Sequence, residues 1–327
     1  MEKYVSIDIL EEDIIRIDVN LLKILLKDRT TNKNIIWATD DYIELGNGFL
    51  SSEQITIEEI TGIYGTVIQP RITKEKNEQN LRTKNRAEVF TPSWICNEQN
   101  NLIDEQWFGR KNVFNISQKN NWITNDKKIL FPDNEKFSWN KYVDAKRMEI
   151  TCGEAPYLVS RYDTVTGDYI EVKDRIGLLD RKLRIVNENV SDDKWFEWVV
   201  RAFQSIYGYE YQGDNLLLAR ENLLYTFIDN YRMRFKEDIS LKWLETIATI
   251  ISWNIWQMDG ITNTVPLHSR LYQQGNLFES FDTMENTISL PCKIKDWRAR
   301  KILLFKNLMR ERLVWKILAL KMYLVIN

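Results

Sequence analysis

Met148-Glu-Ile-Thr-Cys-Gly-Glu-Ala-Pro-Tyr-Leu158 decides how the chain is read. Its pattern predicts the end of a strand, a tight turn of small residues and the start of a helix. Gly153 and Ala155 have almost no side chain, so the backbone there can approach a ligand closely. The first turn of a helix presents N–H groups without intrahelical partners, which suits a polar or anionic ligand. Glu149, four residues before Gly153, stands where a strand-end acid reaches a bound amine. An ordinary strand–turn–helix corner has the same composition, so two further stretches bear on the choice.

Upstream lies Ala87-Glu-Val-Phe-Thr-Pro-Ser-Trp-Ile-Cys96. Pro92 suits a first helical turn and Thr91 the cap before it. Downstream, Ile206-Tyr-Gly-Tyr-Glu210 reads as a strand ending in an acid, and Gly213-Asp-Asn-Leu-Leu-Leu-Ala-Arg-Glu-Asn-Leu223 as the helix that follows. Two carboxylate oxygens at such a strand end can accept both hydroxyls of a ribose, as in dinucleotide sites. The bland account of Glu210 is a charge favoured by the helix dipole. Gly208 before it and the helix after it favour the ribose role, with Asp214 as a candidate cap.

In this order, the three stretches resemble the S-adenosylmethionine (SAM) site of N6-adenine DNA methyltransferases, the modification subunits of restriction–modification systems. The resemblance covers residues 87–260. Glu149, Thr151, Cys152, Gly153, Tyr157 and Leu158 match the family's central motif. Ile150 stands where the family has Pro; Ala155, followed by Pro156, stands where it has a second Gly. The resemblance implies that Phe90, Thr91 and Pro92 contact the amino-acid end of SAM. It implies that Glu149 receives the SAM amino group, and that Thr151, Cys152, Gly153 and Ala155 form the turn against which the cofactor lies. Glu210 would take the ribose, Tyr209 or Tyr211 would flank the adenine ring, and Asp259 would bond that adenine. The implied fold is α/β: a Rossmann-like SAM-dependent methyltransferase fold, a mostly parallel twisted sheet with helices on both faces. The implied activity is methyl transfer from SAM to adenine N6 in DNA. The implied partners are DNA and a restriction or specificity subunit.

One part of the family pattern is missing. The exocyclic amine of adenine is a poor nucleophile, and the family holds it in an Asn/Asp/Ser-Pro-Pro-aromatic loop after flipping the base out of the duplex. The six prolines here include no adjacent pair. The nearest substitute is Leu290-Pro-Cys-Lys-Ile-Lys-Asp-Trp297, where Asp296 and Trp297 follow a short strand. Asp296 capping a helix and Trp297 packing is the favoured reading of that pair. The alternative function is therefore a non-catalytic or degenerate SAM-binding subunit that needs a partner for catalysis or DNA specificity. A nicotinamide dehydrogenase is remote, because the glycine run is poor and Phe90-Thr-Pro92 has no purpose there.

The remaining sequence sets bounds. Residues 1–72 read as a mixed α/β region, with strand alternation over 4–9, a helical pattern over 14–26 and a strand over 34–39. Residues 73–86 are a polar linker or exposed helix, and 87–327 the methyltransferase-like domain. The 103–147 connection is rich in Asn, Lys and Trp. Residues 160–193 form an insertion whose 162–170 stretch reads as a hairpin. Arg161, Arg175, Arg181, Lys182 and Arg184 make that insertion the most basic region near the site, a candidate DNA-facing surface. Helical patterns cover 194–205, 216–235 and 241–256, and residues 298–327 suggest a helix and a last strand.

Basic and acidic residues number 45 and 47, so a DNA-binding chain of this composition needs a local basic face. Three separated cysteines and one histidine, His268, make a zinc site or a disulfide framework an unpromising reading. The N-terminus has no basic-then-apolar signal and no run is apolar enough to span a bilayer, so a cytoplasmic protein is expected.

Overall fold

The computed structural model describes residues 7, 9–86, 88–267 and 289–310. From the N-terminus come α1 (Glu11–Ile17), α2 (Val19–Leu26), α3 (Lys76–Arg86) and α4 (Ser93–Phe108). A hairpin of β1 (Asn115–Gln118) and β2 (Asn121–Thr124) follows, then α5 (Trp139–Asp144) and β3 (Arg147–Glu149). Helices α6 (Leu178–Asn189) and α7 (Asp192–Gln204) lead to β4 (Ile206–Glu210); α8 (Gly213–Arg234) and α9 (Leu241–Asn254) lead to β5 (Ile255–Gln257). The last described elements are β6 (Lys293–Asp296), β7 (Lys301–Leu304) and a short helix, Phe305–Arg310.

The protein is α/β. Its centre is a three-stranded parallel sheet in the order β3-β4-β5, with Arg147 opposite Ile206 and Gly208 opposite Ile255. Parallel neighbours need long crossovers, and α6–α7 and α8–α9 supply them. The two-residue strand period sorts the sheet's side chains. Ile206 and Ile255 face the large core built by α2, α6, α7, α8 and α9. Met148, Tyr207, Tyr209 and Trp256 face the other way, onto Cys292, Ile294 and Phe305. Among the described residues, that second face is therefore covered mainly by the antiparallel β6–β7 hairpin and Phe305. No helix among the described residues is long and apolar enough to cross a membrane.

Helix α8 is buried along most of its length. Arg220 on it is wholly enclosed, donating from Nε to the Ile255 carbonyl at 2.8 Å and from NH1 to the Leu25 carbonyl. These bonds satisfy carbonyls at the end of α2 and in β5 that the regular ladders leave open. Burial pulls the Arg220 guanidinium down to about 9, against the nearby Asp28.

The N-terminal region shares this core. Trp37 O accepts the Gly213 N–H at 3.0 Å, and the Gln257 side-chain amide bonds both the N–H and the carbonyl of Ile36 at 2.9 and 2.8 Å. The expected strand over 34–39 is thus only a pair of isolated bridges, Lys27↔Asn34 and Ile36↔Gln54, because a side chain takes the Ile36 backbone bonds. The helical pattern over 14–26 is two helices. Asp18 is extended between them and caps α2 through Asn20 N at 2.6 Å.

Three further expectations are corrected. No helix starts by Leu158: the chain turns at 153–158, and the next α-helix begins only at Leu178. The cap of α4 is Pro92 rather than Thr91, and the Ser93 N–H donates to Asp163 Oδ2 at 2.7 Å. The basic insertion is not a surface patch. Arg161, Arg175, Arg181 and Lys182 are buried, with the arginines paired to Asp229 or Asp104 and Lys182 on the Val143 carbonyl at 3.0 Å. The 162–170 hairpin survives as a Tyr162↔Tyr169 bridge. Most of the 4–9 alternation, His268, and the C-terminal stretch with Trp315, Leu318, Leu320, Tyr323 and Val325 lie outside the described residues.

Gly213 tests the docking of the N-terminal region. A Cβ there would collide with the Ile36 carbonyl oxygen and meet Ile55 Cδ1 at 2.8 Å. The Gln257 bonds hold that carbonyl, so Gly213→Ala should destabilise by about 1–3 kcal/mol. Urea unfolding should show a lower midpoint at unchanged slope; an unchanged midpoint would show that 36–37 yields freely.

Candidate functional site

A cavity of about 500 Å³ opens at the C-terminal ends of β3 and β4. Phe90, Thr91, Thr151, Cys152, Gly153 and Glu210 line it, so residues from all three sequence stretches meet there. The turn at its base is unusual backbone. Thr151, Gly153 and Ala155 have φ of 45°, 53° and 65°. Left-handed residues without glycine cost energy and persist where the surroundings fix them. Here the surroundings are β4: Cys152 N donates to Tyr209 O at 2.9 Å. The alternation prevents a helix and turns the chain around the cavity wall. An added Cβ at Gly153 would lie 3.5 Å from the Phe90 ring, an ordinary contact, so its φ of 53° rather than crowding is what favours glycine there.

Glu210 holds this corner together. Its Oε2 accepts the Gly153 N–H at 2.8 Å, and its Oε1 accepts Tyr211 N at 2.8 Å and Gln212 N at 3.3 Å. One carboxylate thus ties the β3 turn to the β4–α8 turn. Burial pushes its pKa up, and these backbone donors oppose the shift. Each carboxylate oxygen accepts about two bonds, so Oε2 retains acceptor capacity toward the cavity.

Behind the cavity lies a buried ionic floor. The Arg82 guanidinium reaches Asp214 Oδ2 at 2.7 Å, Glu88 Oε2 at 2.8 Å and Asp41 Oδ2 at 3.1 Å. Tyr42 OH donates to Asp214 at 2.7 Å, and Lys74 Nζ donates to Tyr42 OH at 2.8 Å. Burial alone would raise Asp214, but Arg82 and Lys74 outweigh it and hold the carboxyl down to about 2. Asp214, expected as a cap, is therefore the anchor that joins α3 and the N-terminal region to α8. Helix α3 is accordingly more than a solvated linker, since Arg82 is among the most buried side chains of the protein.

Glu88, Ala38, Val89, Gln212 and Asn215 also line the cavity, and the sequence reading assigned none of them a role. Glu88 lay in plain view within the quoted 87–96 stretch, two residues before Phe90. Gln212 and Asn215 flank the start of the helix that follows the strand-end acid. Ala38, at φ 54°, comes from the N-terminal region and carries no motif to announce it. Glu88 Oε2 is taken by Arg82 and by Asn215 Nδ2 at 3.1 Å. Its Oε1 accepts no hydrogen bond and lies 3.7 Å from Arg71 Nε.

The other expected residues lie elsewhere. Glu149 is buried and accepts Leu158 N at 3.2 Å, which braces the far end of the turn. Ala155 is fully buried behind it. Pro92 lines a neighbouring cavity with Trp94, Trp122 and Asp163. Tyr209 points to the opposite sheet face, where its ring meets Trp256 and Phe305. Tyr211, the other tyrosine considered, lines the cavity. Asp259 follows β5 as expected, but it accepts Ile261 N at 2.8 Å and Thr262 N at 3.2 Å and closes a turn outside the cavity lining. Asp296 accepts Lys146 Nζ, Arg298 N and Ala299 N, each at 3.0 Å; Trp297 donates to Asn254 Oδ1 at 2.8 Å. No group of three or more His, Cys, Asp or Glu among the described residues suits a metal ion. No family model, curated protein or solved structure matches the chain.

Beside Gly153, Glu154 is buried with Oε1 on the Arg71 N–H at 2.7 Å and Oε2 on Tyr162 OH at 2.5 Å. Burial pushes its carboxyl up from 4.5 to about 7, despite those donors. The folded chain keeps this proton to a higher pH than the unfolded chain. The resulting stability is full below 4.5 and is lost as pH rises to about 7. Glu154→Gln should flatten urea midpoints across that window, and an unchanged pH dependence would show that Glu154 does not govern it.

Proposed function

We propose that this chain binds S-adenosylmethionine in the cavity between Phe90, Gly153 and Glu210, on a Rossmann-like methyltransferase fold. Its activity would be transfer of the SAM methyl group to adenine N6 in DNA. One observation carries the reading: two carboxylates, Glu88 and Glu210, line a cavity that no basic side chain among the described residues lines. SAM brings an ammonium, a sulfonium and a ribose diol, all of which acids suit, and its one carboxylate leaves it a net cation. A dinucleotide brings a pyrophosphate, which carboxylates repel. The volume is that of ordinary small-molecule sites.

The residues divide the work by position. Glu210 has acceptor capacity left on Oε2 for ribose hydroxyls. Glu88, already paired with Arg82 and close to Arg71, would set the negative charge of the wall beside a cationic end, in place of the role first assigned to Glu149. Phe90 and Thr91 close the side opposite the Gly153 turn. When bound, SAM supplies an electrophilic methyl group on sulfur; the chain holds and orients it. The engagement of Asp296 with Lys146 and of Trp297 with Asn254 favours a second reading. In it, the chain is the cofactor-binding subunit, and a partner supplies the loop that grips the adenine.

Calorimetric titration with SAM tests the proposal. The wild type should bind. Gly153→Glu, which fills the cavity, and Phe90→Ala should each weaken binding more than about tenfold, or 1.4 kcal/mol. No binding by the folded wild type would overturn it. N6-methyladenine in DNA incubated with the protein and SAM would support autonomous catalysis. Its absence over varied DNA, with SAM binding intact, leaves the subunit reading standing.

A further inference from the structure

We infer that the outer face of the β6–β7 hairpin, together with Arg29 and Trp253, is a docking surface for the phosphodiester backbone of DNA. That the nucleic acid is DNA rests on the methyltransferase reading; the surface rests on charge and geometry. Residues 293–301 carry five basic residues and one acid. Within β6 the strand period buries Ile294 in the sheet-face core, so Lys293 and Lys295 emerge on the opposite side. At the turn, Arg298 and Arg300 are exposed, while Lys301, opposite Asp296, is exposed on the Ile294 side of the hairpin.

The N-terminal loop adds to this face. Lys293 N donates to Thr30 Oγ1 at 3.0 Å, which brings the adjacent Arg29 to the hairpin. Arg29 Nε is held by Ser252 Oγ at 2.9 Å, with its guanidinium 5.8 Å from the Trp253 ring centre. Lys295 Nζ lies 5.7 Å from that same ring and 4.1 Å from the Trp297 ring. Two cations thus share one half-buried tryptophan, the interleaving of charge and aromatic surface that suits nucleic acid.

Nearby carboxylates relieve this crowding only in part: Asp28 favours the Arg29 charge without pairing with it. Asp28 is occupied by Thr30 N, Thr31 N and Thr31 Oγ1, Asp296 by Lys146 and the backbone, and Asp144 by Arg201 and Arg298. Among the described residues, none lies within ion-pair distance of Arg29 or Lys295. Burial and the Arg29 charge together pull Lys295 below the ordinary lysine value. A phosphate between the two would supply the missing anion. Arg161, Arg175 and Arg181, buried and paired, and Arg184, half-buried on Glu188, are not available for that task.

The test is fluorescence anisotropy of a labelled random-sequence DNA duplex over a salt series. Lys295→Gln and Arg29→Gln should each weaken binding about equally for unrelated sequences and reduce the salt slope by about 0.9, one phosphate contact each. Lys295→Glu should weaken it further. Lys119→Glu, an equal charge change on the exposed turn between β1 and β2, should leave affinity and slope unchanged. Equal effects at Lys119 and Lys295, no effect at Lys295, or no DNA binding by the wild type at low salt would each overturn the inference. SAM titration of the same proteins separates the two proposals: Lys295→Glu should bind SAM as the wild type does. DNA binding with these slopes but without SAM binding sinks the cofactor reading alone.

Discussion

A single carboxylate sets the geometry on which the site depends. Glu210 at the end of β4 accepts backbone N–H groups from two different turns, one after β3 and one after its own strand. Those turns leave a parallel sheet in the same direction, and their N–H groups would otherwise face each other across a gap. A buried acceptor-only group is one of few side chains that can satisfy both. The left-handed residues 151, 153 and 155 are tolerable because this bond and Cys152 N to Tyr209 O fix the turn from outside. The same atoms that shape the cavity therefore make it polar.

The Arg82 cluster is the second constraint, and it works differently. Buried ion pairs lose hydration, and their attraction offsets this only when the geometry is close. Here Arg82, Lys74, Tyr42 and Asp214 come from four places in the sequence, and each is tied to at least one of the others. Their gain is less in net stability than in specification. An N-terminal region docked in any other register would leave Asp214 and Arg82 buried without partners. Charge is thus used inside the protein to place α3 and residues 38–42 against the helix that follows the strand-end acid.

Much of the sheet and half of the site were readable in advance. Strand β4, its terminal acid and the following helix follow from pattern alone, since a hydrophobic run, an acid and a long helix have few other arrangements. The meeting of Phe90, Gly153 and Glu210 was implied by the family resemblance of the three stretches. Long-range contacts were not readable. Glu149 and Glu88 are both acids near a motif, and nothing local says which one reaches the cavity. Arg161, Arg175 and Arg181 look like surface when their aspartate partners lie tens of residues away. The side to which Tyr209 points depends on strand parity counted from a boundary that sequence leaves uncertain.

The cavity's walls come from distant parts of the chain: Ala38 on one side, Gln212 and Asn215 on another. During synthesis at about 5–20 residues per second, roughly 10–35 s separate the making of these walls. In that interval Arg82, Lys74 and Tyr42 have no Asp214 to meet, and the Trp37 carbonyl has no Gly213 to receive. The N-terminal third is made with its binding edge incomplete, and it becomes a wall only when α8 emerges. The site can close only after α8 has been made, and the nascent chain carries an exposed charged seam until then.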